Sequence, residues 1–101
     1  MSAQIIIVPE AEEQLRQVHL WWLENMYGAP SIFLDEFESL IALLRDAPGI
    51  GQPFRRATRP GVRRLYMPRS KYWIYYTHNS ERSIVSILAV WSARRGSAPP
   101  L

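Results

Sequence analysis

The sequence contains no cysteine and only two histidines, His19 and His78. It therefore offers no thiols for disulfides or a thiolate metal site, and two isolated histidines do not indicate a zinc site. No apolar run approaches the roughly 20 residues of a membrane span, and the first residues lack the basic segment that begins a signal peptide. We therefore predict no metal, no cofactor, no membrane association and a cytoplasmic location.

Acidic residues are almost missing from the second half of the chain. Residues 51–101 contain ten lysines or arginines against Glu81 alone, whereas residues 1–50 contain two arginines against eight acids. The halves carry net charges of +9 and −6, which give the +3 of the whole chain. Such a field favours an anionic partner, either a nucleic acid or an acidic polypeptide. The length of 101 residues predicts a single domain, residues 1–101.

The first half predicts one short strand followed by two helices. The β-branched run Ile5–Val8 is followed at once by Pro9, which is typical of a strand that leads directly into a helix. Apolar residues recur at helical spacing through residues 9–27, and a second apolar stripe begins after Pro30 and ends at Pro48-Gly49. Two helices with so short a link are predicted to form an antiparallel hairpin.

The second half predicts a three-stranded meander over Val62–Trp91. Three runs rich in Val, Ile, Tyr and Trp are separated by Pro68–Lys71 and His78–Glu81, which is the pattern of two consecutive hairpins. Alternation places Arg63 on one face of the first strand and Arg64 on the other. The third run, residues 84–90, is apolar at almost every position, so we predict an internal strand.

These elements predict an α+β domain. The N-terminal strand and the meander form an antiparallel sheet, and the helical hairpin packs on one of its faces. The opposite face is then partly open and can display basic and aromatic residues. Residues 49–61 are predicted to be a connecting loop, and residues 96–101 no regular element.

Trp21 and Trp22 are neighbours and cannot both point into the same core. One of them, with Leu20 or Leu23, should extend the apolar surface of the first helix beyond its buried stripe. One interpretation is a wide core-facing surface in a small domain. The other is a groove on the helical hairpin that receives an apolar segment of a partner.

A resemblance to a known family runs along nearly the whole chain. It begins with Val8-Pro9-Glu10-Ala11 and continues through VRRLYMPRSKYWIYYTH and SIVSILAVWSARRG. This order resembles the RelE/ParE superfamily, the toxins of type II toxin–antitoxin pairs, which include plasmid stabilisation systems. The ending VWSARRG followed by prolines is more similar to the ParE branch than to the RelE branch. The resemblance implies the α+β fold described above.

The resemblance implies two different activities. RelE-like members are metal-independent ribonucleases that cut messenger RNA on the ribosome, whereas ParE-like members inhibit DNA gyrase. RNA cleavage without a metal needs convergent cations together with a proton acceptor. Arg64 and Arg95 stand where RelE-like enzymes place basic residues, but Trp73 replaces an arginine, Tyr66 a lysine and Ser92 a histidine found in several relatives. His78 is predicted to lie in a turn, with nothing to orient it for catalysis.

We therefore predict a ParE-like toxin that inhibits DNA gyrase by binding it, rather than an enzyme. One alternative is a RelE-like ribosome-dependent endonuclease, for which the resemblance indicates Arg64, Tyr72 and Arg95 as catalytic residues. Another is a non-toxic binding module. Basic residues of the meander and its end form either a solvated surface or a target-binding surface; the target-binding candidates are Arg63, Arg64, Arg69, Arg94 and Arg95.

The resemblance also implies a cognate antitoxin, ParD-like or of another DNA-binding class. Such an antitoxin folds a flexible segment onto the toxin, burying an amphipathic helix and adding a strand in some cases. The antitoxin-binding candidates are Leu20, Trp21, Leu23 and Tyr75. Contact with operator DNA is assigned to the antitoxin rather than to this chain. The meander aromatics are interpreted as core and cross-strand packing, with base stacking as the alternative.

Overall fold

The computed structural model describes residues 2–101, in which two helices pack against a five-stranded sheet. The helices are α1 (Pro9–Asn25) and α2 (Ile32–Asp46), and the strands are β1 (Gln4–Ile7), β2 (Gln52–Pro53), β3 (Arg63–Met67), β4 (Tyr72–Asn79) and β5 (Ile84–Ser92). The spatial order of the strands is β1-β5-β4-β3-β2. Neither helix is long and apolar enough to cross a membrane.

The predicted meander and helical hairpin are confirmed, but the sheet is mixed rather than antiparallel. β3, β4 and β5 pair antiparallel in sequence order, whereas β1 pairs parallel with β5, with Gln4 opposite Ile84 and Ile7 opposite Ile87. Parallel neighbours need a long crossover between them, and here both helices and the first hairpin of the meander provide it. β5 is internal, as its continuous apolar run predicts.

The main core lies between the helices and one face of the sheet. α1 contributes a stripe that includes Ala11 and Trp22, and α2 contributes a longer one centred on Phe37. These stripes cover every second residue of β4, so Ile74 and Tyr76 are fully buried. Both helices therefore lie on one face of the sheet, as predicted. The alternate residues of β4, Trp73 and Tyr75, point to the other face.

The second face of the sheet carries a smaller apolar cluster, and a bulge in β5 enlarges it. Tyr75 pairs with Ala89 and Tyr76 pairs with Ile87, which leaves Leu88 as an extra residue. Leu88 and Ala89 consequently both join the second cluster, together with Phe54 and Val62.

The predicted open face is thus partly covered, by two segments that were expected to be irregular. Residues 54–58 pack over Tyr75, and the last residues pack alongside them, because the Thr58 N–H donates to the Leu101 carbonyl at 2.7 Å. Pro99 is buried. Within the predicted loop, the two residues of β2 also pair with β3, with Gln52 opposite Arg64.

A carboxylate on α2 holds the turn between β3 and β4. Glu36 accepts hydrogen bonds from the N–H of Arg69 at 2.8 Å, the N–H of Ser70 at 2.9 Å and the Ser70 hydroxyl at 2.7 Å. Ser70 is only 1% exposed, so Glu36 supplies the partner that its buried polar groups need. The second turn lies later than predicted, because His78 is within β4 opposite Val85 rather than in the turn.

Candidate functional site: an arginine cleft

A cleft of about 470 Å³ lies on the face of the sheet opposite the helices. Its walls come from the segment after β2, from β3 and β4, and from the chain that follows β5. We call this site the arginine cleft; its lining residues are Pro53, Phe54, Arg55, Arg56, Arg64, Trp73, Tyr75, Trp91, Ser92, Ala93, Arg95, Gly96, Ser97 and Ala98.

A row of aromatic rings runs across the three meander strands beside the cleft. Tyr66 pairs with Trp73, and Trp73 pairs with Trp91, so all three side chains project from the same face. Two arginines lie on these rings. The Arg64 guanidinium carbon is 4.0 Å from the centroid of Trp73, and that of Arg95 is 4.0 Å from the centroid of Trp91. Each guanidinium is therefore held by cation–π stacking.

Arg64 is further oriented by two hydrogen bonds. Its Nε donates to Gln52 Oε1 at 3.2 Å, and its Nη1 donates to the Tyr75 hydroxyl at 3.2 Å. Phe54 packs edge to face on Tyr75 with 5.0 Å between centroids, which closes the floor beneath this arginine. Because stacking and hydrogen bonds act together, Arg64 presents its remaining N–H groups in a defined direction.

The charge of the cleft is uncompensated. Arg55, Arg56, Arg64 and Arg95 line it, and the lining includes neither a carboxylate nor a histidine. Among residues 2–101 the single ion pair joins Arg16 to Glu13 on α1; Glu13 lines a neighbouring groove that Arg95 also borders, but it forms no ion pair with Arg95. Four cations around one concave surface focus a positive field into it.

The loop that brings Gln52 to Arg64 is held by a latch at Gly51. The Gly51 N–H donates to the Tyr76 hydroxyl at 2.8 Å, and Arg63 Nη1 donates to the Gly51 carbonyl at 2.7 Å. A Cβ at residue 51 would lie 2.5 Å from the Tyr76 hydroxyl oxygen, so only glycine fits. Burial raises the pKa of Tyr76 above its usual 10.0, against the opposing effects of the Gly51 N–H and the Arg63 charge.

The structure divides the five predicted target-binding arginines. Arg64 and Arg95 line the cleft together. Arg63 does not line the cleft, because it projects from the helix face, where its guanidinium donates to the Gly51 carbonyl; its assignment as a contact residue stays a prediction. Arg69 and Arg94 are exposed but lie outside the lining, Arg69 in the turn held by Glu36.

The trio expected of a ribonuclease is not brought together. Tyr72 lies on the helix face of β4, where its ring packs edge to face on Phe33 with 5.3 Å between centroids. Arg64 projects from the opposite face, so the sheet separates the two side chains. Arg95, after the end of β5, lines both the arginine cleft and a smaller groove beside Tyr72.

The antitoxin-binding candidates also divide. Leu20, Trp21 and Leu23 are exposed on α1, and Trp21 is 47% exposed while Trp22 is 6% exposed. Only one tryptophan of the pair therefore enters the core, as predicted. Tyr75 is 1% exposed within the second apolar cluster and cannot offer a docking surface; that assignment is corrected because the loop with Phe54 covers it.

Arg55 and Arg56 belong to the site, although the sequence analysis assigned their segment to a simple connection. The signal was present in the run Phe54-Arg55-Arg56, an aromatic residue followed by two cations. What the sequence could not provide was the pairing of Gln52–Pro53 with β3, which carries this run to the cleft. No cluster of three His, Asp or Glu side chains that could hold a metal ion occurs among residues 2–101.

Comparisons with known proteins agree with this architecture. The family described as the ParE toxin of type II toxin–antitoxin system, parDE, matches residues 5–96. No curated protein matches the sequence significantly.

Three solved structures resemble the chain at low sequence identity, and each match shows a shared fold. The isolated E. coli RelE toxin is 16% identical with a TM-score of 0.68, covering 95% of this chain and 89% of that one. The Mycobacterium tuberculosis RelBE2 toxin–antitoxin complex is 21% identical with a TM-score of 0.65, covering 91% of this chain and 99% of that one. The chromosomal ParDE system of P. aeruginosa is 14% identical with a TM-score of 0.62, covering 92% of this chain and 98% of that one.

Proposed function

The chain belongs to the ParE toxin family of type II toxin–antitoxin systems, and from this premise we propose that it inhibits DNA gyrase by binding it through the arginine cleft. The observation that carries the proposal is the composition of that cleft. It combines four arginines with two indole rings and has no carboxylate or histidine in its lining. Such a surface is suited to holding an anionic partner and poorly suited to transferring protons.

The comparison with RNA cleavage supports binding over catalysis. A metal-free ribonuclease must take a proton from a 2′-hydroxyl and return one to the leaving oxygen. In the cleft, the Tyr75 hydroxyl is buried and accepts a hydrogen bond from Arg64, and the Ser92 hydroxyl accepts one from the Arg94 N–H. Tyr72 lies across the sheet. The lining of the cleft supplies cations that can stabilise a phosphate, but no carboxylate or histidine that could accept the proton.

We further propose that a cognate antitoxin neutralises this toxin by covering the exposed apolar end of α1. The M. tuberculosis and P. aeruginosa relatives were solved as toxin–antitoxin systems. Leu20 and Leu23 are one helical turn apart, and Trp21 is exposed next to Leu20 on the adjoining side of the helix. An amphipathic helix buries its apolar side in a surface of this kind.

Two parallel assays test the proposal on the purified chain. In a gyrase supercoiling assay we expect inhibition that depends on toxin concentration, and in a translating extract we expect intact messenger RNA. Addition of the antitoxin should restore supercoiling. Messenger RNA cleavage with unaffected supercoiling would refute the proposal.

The same assays decide the alternatives. If the chain is a ribosome-dependent endonuclease, Arg95→Ala should abolish cleavage while the melting temperature is unchanged. A non-toxic binding module would leave both assays unaffected, would still bind the antitoxin and would allow growth when expressed without it. Arg82→Ala provides a matched control, because Arg82 is an exposed arginine in the turn between β4 and β5 and does not line the cleft.

A further inference from the structure

We infer that the arginine cleft recognises an acidic polypeptide segment of its target, held by carboxylates, rather than a nucleic acid strand. This inference rests on the proposed function and specifies the chemistry of the partner at the same site. It also assigns Arg55 and Arg56 to that site beside Arg64 and Arg95. The positive charge of the cleft, its free N–H donors and its covered indole faces support this assignment.

The four arginines of the cleft have no acidic partner within its lining. All four arginines face one concave volume, and none of them forms an ion pair with an acid among residues 2–101. Like charges held together repel each other, and the repulsion is relieved when an anion enters. An acidic segment supplies several negative charges at once along one chain.

Two of these arginines, Arg64 and Arg95, keep free N–H donors. A guanidinium has five N–H groups, and Gln52 and Tyr75 each accept a hydrogen bond from Arg64, which leaves three for a ligand. The Arg95 guanidinium makes no hydrogen bond to another residue from 2 to 101 and keeps all five. Two planar guanidinium groups with free N–H pairs match the bidentate geometry of carboxylates, and equally that of phosphates.

The covered indole faces favour a peptide over a nucleic acid strand as the ligand. Proteins that hold single strands stack bases on bare aromatic faces. Here Arg64 lies over Trp73 and Arg95 lies over Trp91, so the indole faces toward the cleft are already occupied. Tyr66 packs against Trp73 and does not line the cleft. Anion recognition is therefore available in the cleft without a bare indole face on which a base could stack.

The site is formed before the partner arrives. The Trp91 Nε1–H donates to the Ser97 carbonyl at 2.7 Å, which fixes both the ring beneath Arg95 and the wall that follows β5. On the other side, the Gly51 latch fixes Gln52 against Arg64. Pre-formed donors reduce the entropy that a ligand loses on binding.

The experiment measures binding of three labelled probes by fluorescence anisotropy. The probes are an octapeptide with four glutamates, the same peptide with four glutamines, and an octamer of uridylate. We expect the glutamate peptide to bind most tightly and to weaken as salt is added. Arg64→Ala and Arg95→Ala should each weaken it by about tenfold or more, as loss of a hydrogen bond to a charged group predicts. Arg82→Ala should change it less than about twofold, the range expected for a remote surface charge.

Three outcomes would overturn the inference. The first is tighter binding of the uridylate octamer through the same arginines. The second is equal weakening by Arg64→Ala and Arg82→Ala, which would indicate a diffuse effect of net charge. The third is no binding of the glutamate peptide at millimolar concentration. Circular dichroism of each variant confirms that the fold is retained.

A competition assay separates this inference from the proposed function. If the chain inhibits gyrase and the glutamate peptide relieves that inhibition while the glutamine peptide does not, both stand. Inhibition that the glutamate peptide cannot relieve retains the proposed function and refutes the acidic partner segment. Selective peptide binding without any effect on gyrase retains the acidic preference of the cleft and refutes gyrase as its target.

Discussion

Replacing Glu36 by alanine should destabilise the domain far more than its position on the surface of a helix suggests. The carboxylate accepts three hydrogen bonds from the turn between β3 and β4, two of them from Ser70. The Arg69 N–H can be rehydrated, because Arg69 is exposed, whereas the N–H and hydroxyl of Ser70 would remain buried without a partner. Each unsatisfied group costs roughly 1–3 kcal/mol, so for the two groups of Ser70 we expect a loss of about 2–6 kcal/mol.

Urea unfolding followed by tryptophan fluorescence measures this loss directly. In a domain of this size, a loss of that magnitude corresponds to a fall in melting temperature of roughly 8–48 °C, at about 4–8 °C per kcal/mol. Glu38→Ala is the matched control, since Glu38 is an exposed carboxylate on the same helix without a hydrogen bond to another residue from 2 to 101. Its change should stay within about 0.5 kcal/mol. Equal effects of the two substitutions would refute the assignment of Glu36 to the turn.

Three further predictions concern α1 and the latch. Trp22→Glu should cost more than about 3 kcal/mol of unfolding free energy, because Trp22 lies in the core. Trp21→Glu should leave the melting temperature nearly unchanged and weaken antitoxin binding about tenfold or more, because Trp21 is exposed. Equal losses of melting temperature for the two variants would contradict this difference. Gly51→Ala should cost about 1–3 kcal/mol in urea unfolding, because the new methyl group meets the Tyr76 hydroxyl, and Tyr76→Phe in the same chain should recover part of that loss. Burial raises the pKa of Tyr76 in the folded state. The stability that the protonated hydroxyl contributes is therefore complete below pH 10 and is lost as the pH rises further. The wild type should consequently lose more stability between pH 9 and 11 than the Tyr76→Phe variant does.

The alternation of side chains along the strands explains why so much of the sheet could be predicted. Residues such as Ile74 and Tyr75 differ in face because the strand repeat is two, and this property needs no knowledge of the rest of the fold. The same rule separates Arg63 from Arg64. The sequence did not indicate which face the helices cover, and for that reason both arginines were retained as contact candidates although only Arg64 reaches the cleft.

The features that escaped prediction depend on contacts between residues far apart in the chain. Glu36 meets its turn 33 and 34 residues later, and no local pattern relates a helix carboxylate to a distant hairpin. The bulge that turns Leu88 and Ala89 to the same face arises from pairing with β4. Tyr75 was kept as an antitoxin-binding candidate because the alternation of side chains does not show what covers it, and Phe54 from a distant loop supplies that cover.

The arginine cleft shows the same limit at the level of function. Arg64 and Arg95 could be identified from the resemblance to toxins, but their stacking on Trp73 and Trp91 depends on strand register. Arg55 and Arg56 complete the site through a loop that only its pairing with β3 brings near. The site is therefore a property of the assembled sheet face more than of any one segment.

We propose above that the arginine cleft binds the target of this toxin. The most direct test measures how strongly a variant with both Arg64→Ala and Arg95→Ala inhibits DNA supercoiling by gyrase. Arg95 is exposed, and Arg64 is half-buried at the edge of the second apolar cluster without belonging to the main core, so a folded variant is expected and thermal melting verifies it. The account predicts that wild type and Arg82→Ala inhibit gyrase equally and that the double variant requires at least about a hundredfold higher concentration, two contacts of tenfold each. Full inhibition of gyrase by the folded double variant would contradict it.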